Sequence, residues 1–145
     1  MKAIKGWYFD EFLSVYRIPV RIKNPSTSVS MIKFCLFDTG YSGYLGLDKD
    51  TINALNLPNI GRGKGITVKG IIDYDNYEGT MEIVDENGKS IELIKNIDNS
   101  EDQKDQKKEN LFVIQEFDIP IMGIKSIKQL SWLIIGTEKV IYLVK

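Results

Sequence analysis

Histidine is absent from this sequence of 145 residues. Its absence removes Ser-His-Asp and Cys-His nucleophilic arrangements and most zinc sites. Cysteine occurs once, as Cys35, so neither an internal disulfide nor a Cys-x-x-Cys pair can form. Cys35 lies in an apolar run, Phe34-Cys35-Leu36-Phe37, and reads as a core residue rather than a nucleophile. Neither sign of charge predominates, since 19 Lys and Arg stand against 20 Asp and Glu. That balance speaks against nucleic acid or an anionic membrane as partner, because both favour a basic surface. Long hydrophobic runs are also missing, and the run from Trp132 to Ile135 is far too short to cross a bilayer. Met1 to Trp7 carries two lysines, but no apolar core of signal-peptide length follows. A cytoplasmic protein is expected. An enzyme built from this inventory must work with carboxylates, lysines, hydroxyls or a borrowed cofactor.

The length suits one domain, spanning residues 1–145, with a core of its own. Ala3 to Phe9 and Val15 to Ile22 read as strands, rich in Ile, Val, Tyr and Trp, with a turn at Asp10-Glu11. Asn24-Pro25-Ser26-Thr27-Ser28 signals a loop. Met31 to Phe37 is a continuous apolar strand that runs straight into Asp38-Thr39-Gly40, and Tyr44 to Leu47 is a short strand. Asp48 sits where a helix N-cap belongs, Ile52 and Leu55 share a face, and Pro58 ends the segment.

Four glycines, at 61, 63, 65 and 70, fall within ten residues, and this stretch reads as a flexible loop. Ile66 to Val68 and Tyr77 to Val84 would be strands flanking a polar tip. Asp85-Glu86-Asn87-Gly88 predicts a hairpin with a two-residue Asn-Gly loop, and Ser90 to Ile94 is its return strand. Residues 96–110 are nearly all polar and read as a mobile surface loop rather than a charged helix, since they cannot bury enough apolar area to offset their ordering entropy. Leu111 to Ile114 and Ile119 to Met122 resume the strand pattern. A short helix over Ile124 to Leu130 and a closing hairpin, Trp132 to Ile135 with Val140 to Val144, complete a mostly β chain. The predicted class is all-β, with one or two short helices.

Asp38-Thr39-Gly40 closes the apolar strand Met31 to Phe37, and taken alone the triplet fits a turn with an Asp cap. Its context is more specific. The run Phe37-Asp38-Thr39-Gly40-Tyr41-Ser42-Gly43-Tyr44-Leu45-Gly46-Leu47, with the helix ending at Leu57-Pro58, resembles the catalytic segment of retropepsin-like aspartic proteases, closest to their small prokaryotic members. Ile121-Met122-Gly123 is similar to the apolar-apolar-Gly element that the family places under its catalytic loop. A competing match, Ile134-Ile135-Gly136, leaves too little chain after it for the helix and strands that should follow. Gly61 to Tyr77 falls where the family has its flap hairpin. The resemblance covers residues 2–145 apart from the polar insert near residue 100.

The resemblance implies a closed β-barrel and a peptide hydrolase that needs no metal and no cofactor. Two carboxylates about 3 Å apart share one proton because they cannot both ionise, so one deprotonates water while the other protonates the carbonyl. One chain supplies one Asp-Thr-Gly. The second carboxylate would come from a symmetry mate, which implies a C2 homodimer with Asp38 facing Asp38. Asp38 is then the catalytic residue. Thr39 would hydrogen-bond across the dimer, Gly40 would direct its N–H at the carboxylates, and Gly123 would underlie the loop. Many members carry Ser or Ala where this chain has Tyr41, and Ser42 would either take over the supporting hydrogen bond or serve as a turn residue. Gly70, Ile71, Ile72 and Tyr74 would form the flap that closes on a peptide held as an added strand. The alternative reading, motivated by Tyr41, is a non-catalytic dimeric domain that binds peptides or assembles. A small β-barrel that binds nucleic acid is disfavoured by the near-neutral charge.

Three other runs weigh less. Asp73-Tyr74-Asp75-Asn76-Tyr77-Glu78 begins like a calcium loop but lacks the glycine required at its sixth position, and reads as a solvated flap tip. Gly61-Arg62-Gly63-Lys64-Gly65 is not a P-loop, since no Gly-Lys-Ser/Thr follows. Trp7 and Trp132 read as core or interface residues.

Overall fold

The first strands follow the apolar periodicity of the sequence. In the computed structural model, which describes residues 1–67, 70–98 and 110–145, β1 (Ala3–Tyr8), β2 (Arg17–Lys23) and β3 (Ser30–Phe37) succeed one another. β2 and β3 pair antiparallel from Arg17↔Leu36 to Lys23↔Ser30. This register turns Ile18, Val20 and Ile22 wholly into the core. Cys35 is equally buried, and that burial pushes its thiol up to about 12, which keeps it protonated and unreactive.

β4 (Leu45–Leu47) leads into α1 (Lys49–Leu55). Asp48 caps the helix, accepting from the Thr51 backbone N–H at 3.1 Å and from its hydroxyl at 2.8 Å. Burial alone would raise the Asp48 carboxyl, but these two bonds outweigh it and hold the group below its ordinary value. The other end of α1 is closed by a residue read only as part of a loop. Asn24 is buried and donates its amide to the carbonyls of Leu55 at 3.0 Å and Asn56 at 2.9 Å.

The glycine-rich stretch is a strand and not a flexible loop. β5 (Asn59–Thr67) pairs antiparallel with β6 (Gly70–Val84) from Asn59↔Tyr77 to Thr67↔Gly70. The reason lies in the opposite strand. A Cβ on Gly63 would come within 2.8 Å of the Tyr74 ring, and one on Gly65 within 3.0 Å. The glycines form a bed on which that ring lies. Asp73 to Glu78, expected at a flap tip, lie well inside β6, with Asp73 opposite Lys64 and Asp75 opposite Arg62. Val68, expected at the end of a strand, and Lys69 lie outside the described residues.

β6 is long enough to serve four partners. Beyond β5 it pairs with β8 (Phe112–Glu116), with β2, and with β7 (Ser90–Leu93). The turn between β6 and β7 differs from the Asn-Gly loop predicted. Gly88 takes a positive φ of 77° while Asn87 does not, and the Asp85 carboxylate accepts the N–H groups of Asn87 and Lys89, each at 2.9 Å. This is the longer hairpin loop in which one left-handed glycine follows an ordinary turn.

Residues 99–109, most of the expected mobile loop, lie outside the described residues. Its first residues are anchored. The Tyr44 hydroxyl lies 3.1 Å from both Asn96 Oδ1 and Asp98 Oδ2 and accepts the Ile97 N–H at 2.9 Å.

β9 (Ile121–Met122), α2 (Ile124–Ile127), β10 (Ser131–Ile135) and β11 (Val140–Val144) close the chain. The last two form the predicted hairpin and, with β1, a sheet in the order β1-β11-β10. Ile141 of this sheet belongs to the main core cluster, with Trp7 and Trp132 packed against it. Trp132 meets the Phe37 ring edge-on at 5.1 Å and so backs the strand that carries Asp38. Among the described residues no helix is long and apolar enough to cross a membrane.

Candidate active site

Asp38 is the first residue beyond β3. Its backbone N–H donates to Met122 O at 3.1 Å, and its carbonyl accepts the Tyr41 N–H at 3.3 Å. The strand beneath is fixed by two neighbours, since β9 pairs parallel with β3 (Leu36↔Ile121, Phe37↔Met122) and antiparallel with β4 (Leu45↔Met122, Gly46↔Ile121). Ile121-Met122-Gly123 therefore lies directly under the Asp38 loop. The competing Ile134-Ile135-Gly136 ends β10, where a Cβ on Gly136 would meet nothing within 4 Å among the described residues.

Gly123 is needed for space and not for backbone freedom. Its φ of −99° suits any residue. A Cβ there, however, would fall 2.2 Å from Gly43 O and 2.5 Å from Tyr41 Cδ1. From this position the loop is stitched down by three bonds: Gly123 N–H to Tyr44 O at 3.0 Å, Ile124 N–H to Tyr41 O at 2.8 Å and Lys125 N–H to Gly43 O at 3.2 Å. The buried Ser126 hydroxyl adds a fourth, to Tyr44 O at 2.9 Å.

The carboxylate of Asp38 is half-buried and accepts the Gly40 N–H on Oδ1 at 2.8 Å. Thr39 and Ser42 are exposed beside it, and among the described residues neither hydroxyl has a hydrogen-bond partner. Within this single chain the bond to Asp38 Oδ1 comes from the Gly40 N–H and not from Ser42. The loop presents one carboxylate, oriented by a backbone donor, on an accessible surface.

Tyr41 turns away from Asp38. Its ring packs at 5.8 Å from that of Phe117, and its hydroxyl donates to Gln115 Oε1 on β8. Burial, and then the neighbouring Tyr74 hydroxyl, push the Tyr41 phenol well above its ordinary value, so it remains a donor at any working pH. Gln115 in turn donates to the Tyr74 hydroxyl at 2.8 Å. Sequence reasoning missed Gln115 for a physical reason. It alternates with buried Phe112 and Ile114 on β8, where a polar residue reads as solvent-facing.

Of the expected flap residues, Ile71 and Ile72 are exposed and Tyr74 is tied down. Gly70, the first residue of β6, takes a positive φ of 111°. A cleft of about 460 Å³ opens between this hairpin and the end of β8; its lining includes Ile72, Tyr74, Phe117, Asp48 and Lys49 but not Asp38. Tyr77 is buried, with its hydroxyl accepting from Lys49 Nζ at 2.8 Å, and belongs to the core. The chain matches no protein-family model, and no curated protein is significantly similar to it.

Proposed function

We propose that this chain is one subunit of a homodimeric aspartic endopeptidase with a retropepsin-like closed barrel. The observation that carries the reading is the Asp38 loop itself. An accessible carboxylate is oriented by the Gly40 N–H and seated on Ile121-Met122-Gly123. The pairings of β2 support a closed barrel, because β2 bonds both to β3 and to β6 and so completes the ring β2-β3-β9-β4-β8-β6. A hairpin that exposes Ile71 and Ile72, and that is joined to the Asp38 loop through Gln115, supports a flap over an extended peptide. A dimer is supported by β10, an edge strand that exposes Leu133 and Ile134.

One carboxylate cannot serve as acid and base at once, so turnover requires a second Asp38 across a two-fold axis. Water would lie between the pair. One carboxylate takes its proton while the other gives its own to the peptide carbonyl, and the tetrahedral intermediate then collapses with the proton passed to the leaving amine. Wild type should cleave unstructured peptides at acidic pH. Asp38→Asn should lose at least about a thousandfold in kcat/KM with its circular dichroism and dimerisation unchanged. Peptide binding by both proteins with product from neither would favour the non-catalytic dimeric domain instead.

A further inference from the structure

Two hydrogen bonds link the Asp38 loop to the flap hairpin through a residue that belongs to neither, and a third carries the chain across the hairpin. The Tyr41 hydroxyl donates to Gln115 Oε1. The Gln115 amide donates to the Tyr74 hydroxyl at 2.8 Å. The Tyr74 hydroxyl donates to the carbonyl of Lys64, on the opposite strand of the hairpin, at 3.2 Å. All three donors point the same way, from loop to hairpin. A primary amide suits the middle position because it accepts on one atom and donates on another.

Both ends of the relay are rigidly seated. At the loop, Tyr41 is held by its ring contact with Phe117 and by the Ile124 N–H on its carbonyl. At the hairpin, Tyr74 lies on the bed made by Gly63 and Gly65. A displacement of the Tyr74 ring therefore cannot be absorbed locally without stretching a bond in the relay. Tyr41 is three residues from Asp38, and its N–H is bonded to the Asp38 carbonyl.

We propose that Gln115 is a positioning residue that couples the flap hairpin to the Asp38 loop, so that a substrate lifting or closing the hairpin also sets the geometry of the carboxylate. The proposal rests on the peptidase reading for its purpose, but the coupling can be measured without turnover. Binding energy spent on the hairpin would reach the reacting carboxylate, and only a peptide long enough to engage both would be cut well.

The test is reciprocity in amide hydrogen exchange. Tyr74→Phe removes a hydroxyl from the hairpin, and the amides of Ile124 and Lys125, which stitch down the loop, should exchange roughly fivefold faster. Tyr41→Phe removes a hydroxyl from the loop, and the amides of residues 71–75 should speed up to a similar degree. The double variant should be no worse than either single one, since one broken relay cannot be broken twice. Gln115→Leu should reproduce both effects with its far-ultraviolet circular dichroism intact. Changes confined to the mutated element, or additive effects in the double variant, would overturn the coupling. Activity reads separately. If wild type cleaves peptide, Tyr74→Phe should lower kcat more for long peptides than for short ones. If wild type cleaves nothing, the peptidase reading fails while the exchange data still decide the relay.

Discussion

The chain contains two apolar-apolar-Gly elements, and the structure gives them opposite surroundings. Ile121-Met122-Gly123 is gripped between β3 and β4, and a Cβ on its glycine would fall 2.2 Å from a backbone oxygen. Ile134-Ile135-Gly136 ends an edge strand, Ile134 is exposed, and a Cβ on its glycine would touch nothing among the described residues. The same three-residue pattern is obligatory in one place and incidental in the other. What distinguishes them is the neighbour across the contact: Gly43 O and the Tyr41 ring, both supplied by the segment that begins at Asp38. A glycine earns its position from the close approach it permits, and that approach lies far away in sequence.

Substitution should expose the contrast most sharply. Gly123→Ala drives a methyl group into backbone that cannot yield and should cost about 3 kcal/mol, measured as the shift of a urea midpoint. Gly136→Ala should change stability by less than about 0.5 kcal/mol. Gly43→Ala lies between them. Its methyl would come within 2.9 Å of the Tyr41 hydroxyl, a side-chain atom where Gly123 meets backbone, so about 1 to 2 kcal/mol is expected. Equal effects at Gly123 and Gly136 would erase the distinction.

Acid should loosen the gripped region with a smaller effect. Lys125, two residues past Gly123, donates to Asp98 at 2.7 Å and holds that carboxyl below its ordinary value against the opposing push of burial. Asp48, just after β4, is lowered by Thr51. For a carboxyl whose folded value lies below its unfolded one, the stabilisation is present above the ordinary carboxyl range, about pH 4, and is lost as pH falls through the folded value. Thermal midpoints should therefore drop on acidification below that range, and Asp98→Asn should flatten the slope. An unchanged slope would remove Asp98 from that role.

Much of the scaffold could be read from local pattern. The apolar strand into Asp38, the Asp48 cap three residues before Thr51, and the closing hairpin are set by neighbours in sequence. What could not be read depended on distant partners. Glycines at 63 and 65 ordinarily break a strand, and only the register that places Gly63 opposite Tyr74 turns them into a requirement. Asn24 carries an unmistakable loop signal, yet its amide ends a helix about thirty residues on. Asn96 and Asp98 open a polar tract and are nonetheless fixed by Tyr44. Tyr41 is the departure that argues for a non-catalytic domain, and only the fold shows that its hydroxyl is bonded to Gln115 on β8.

The proposal that Asp38 is half of a site is tested most directly by mixing chains. Wild type and Asp38→Asn, unfolded together in equal amounts and refolded, should assort at random into dimers. If each site needs both carboxylates, cleavage activity per total chain should fall to about one quarter of the wild-type value. Activity at about one half, in proportion to the wild-type chains present, would mean that a single Asp38 suffices and would contradict the shared site.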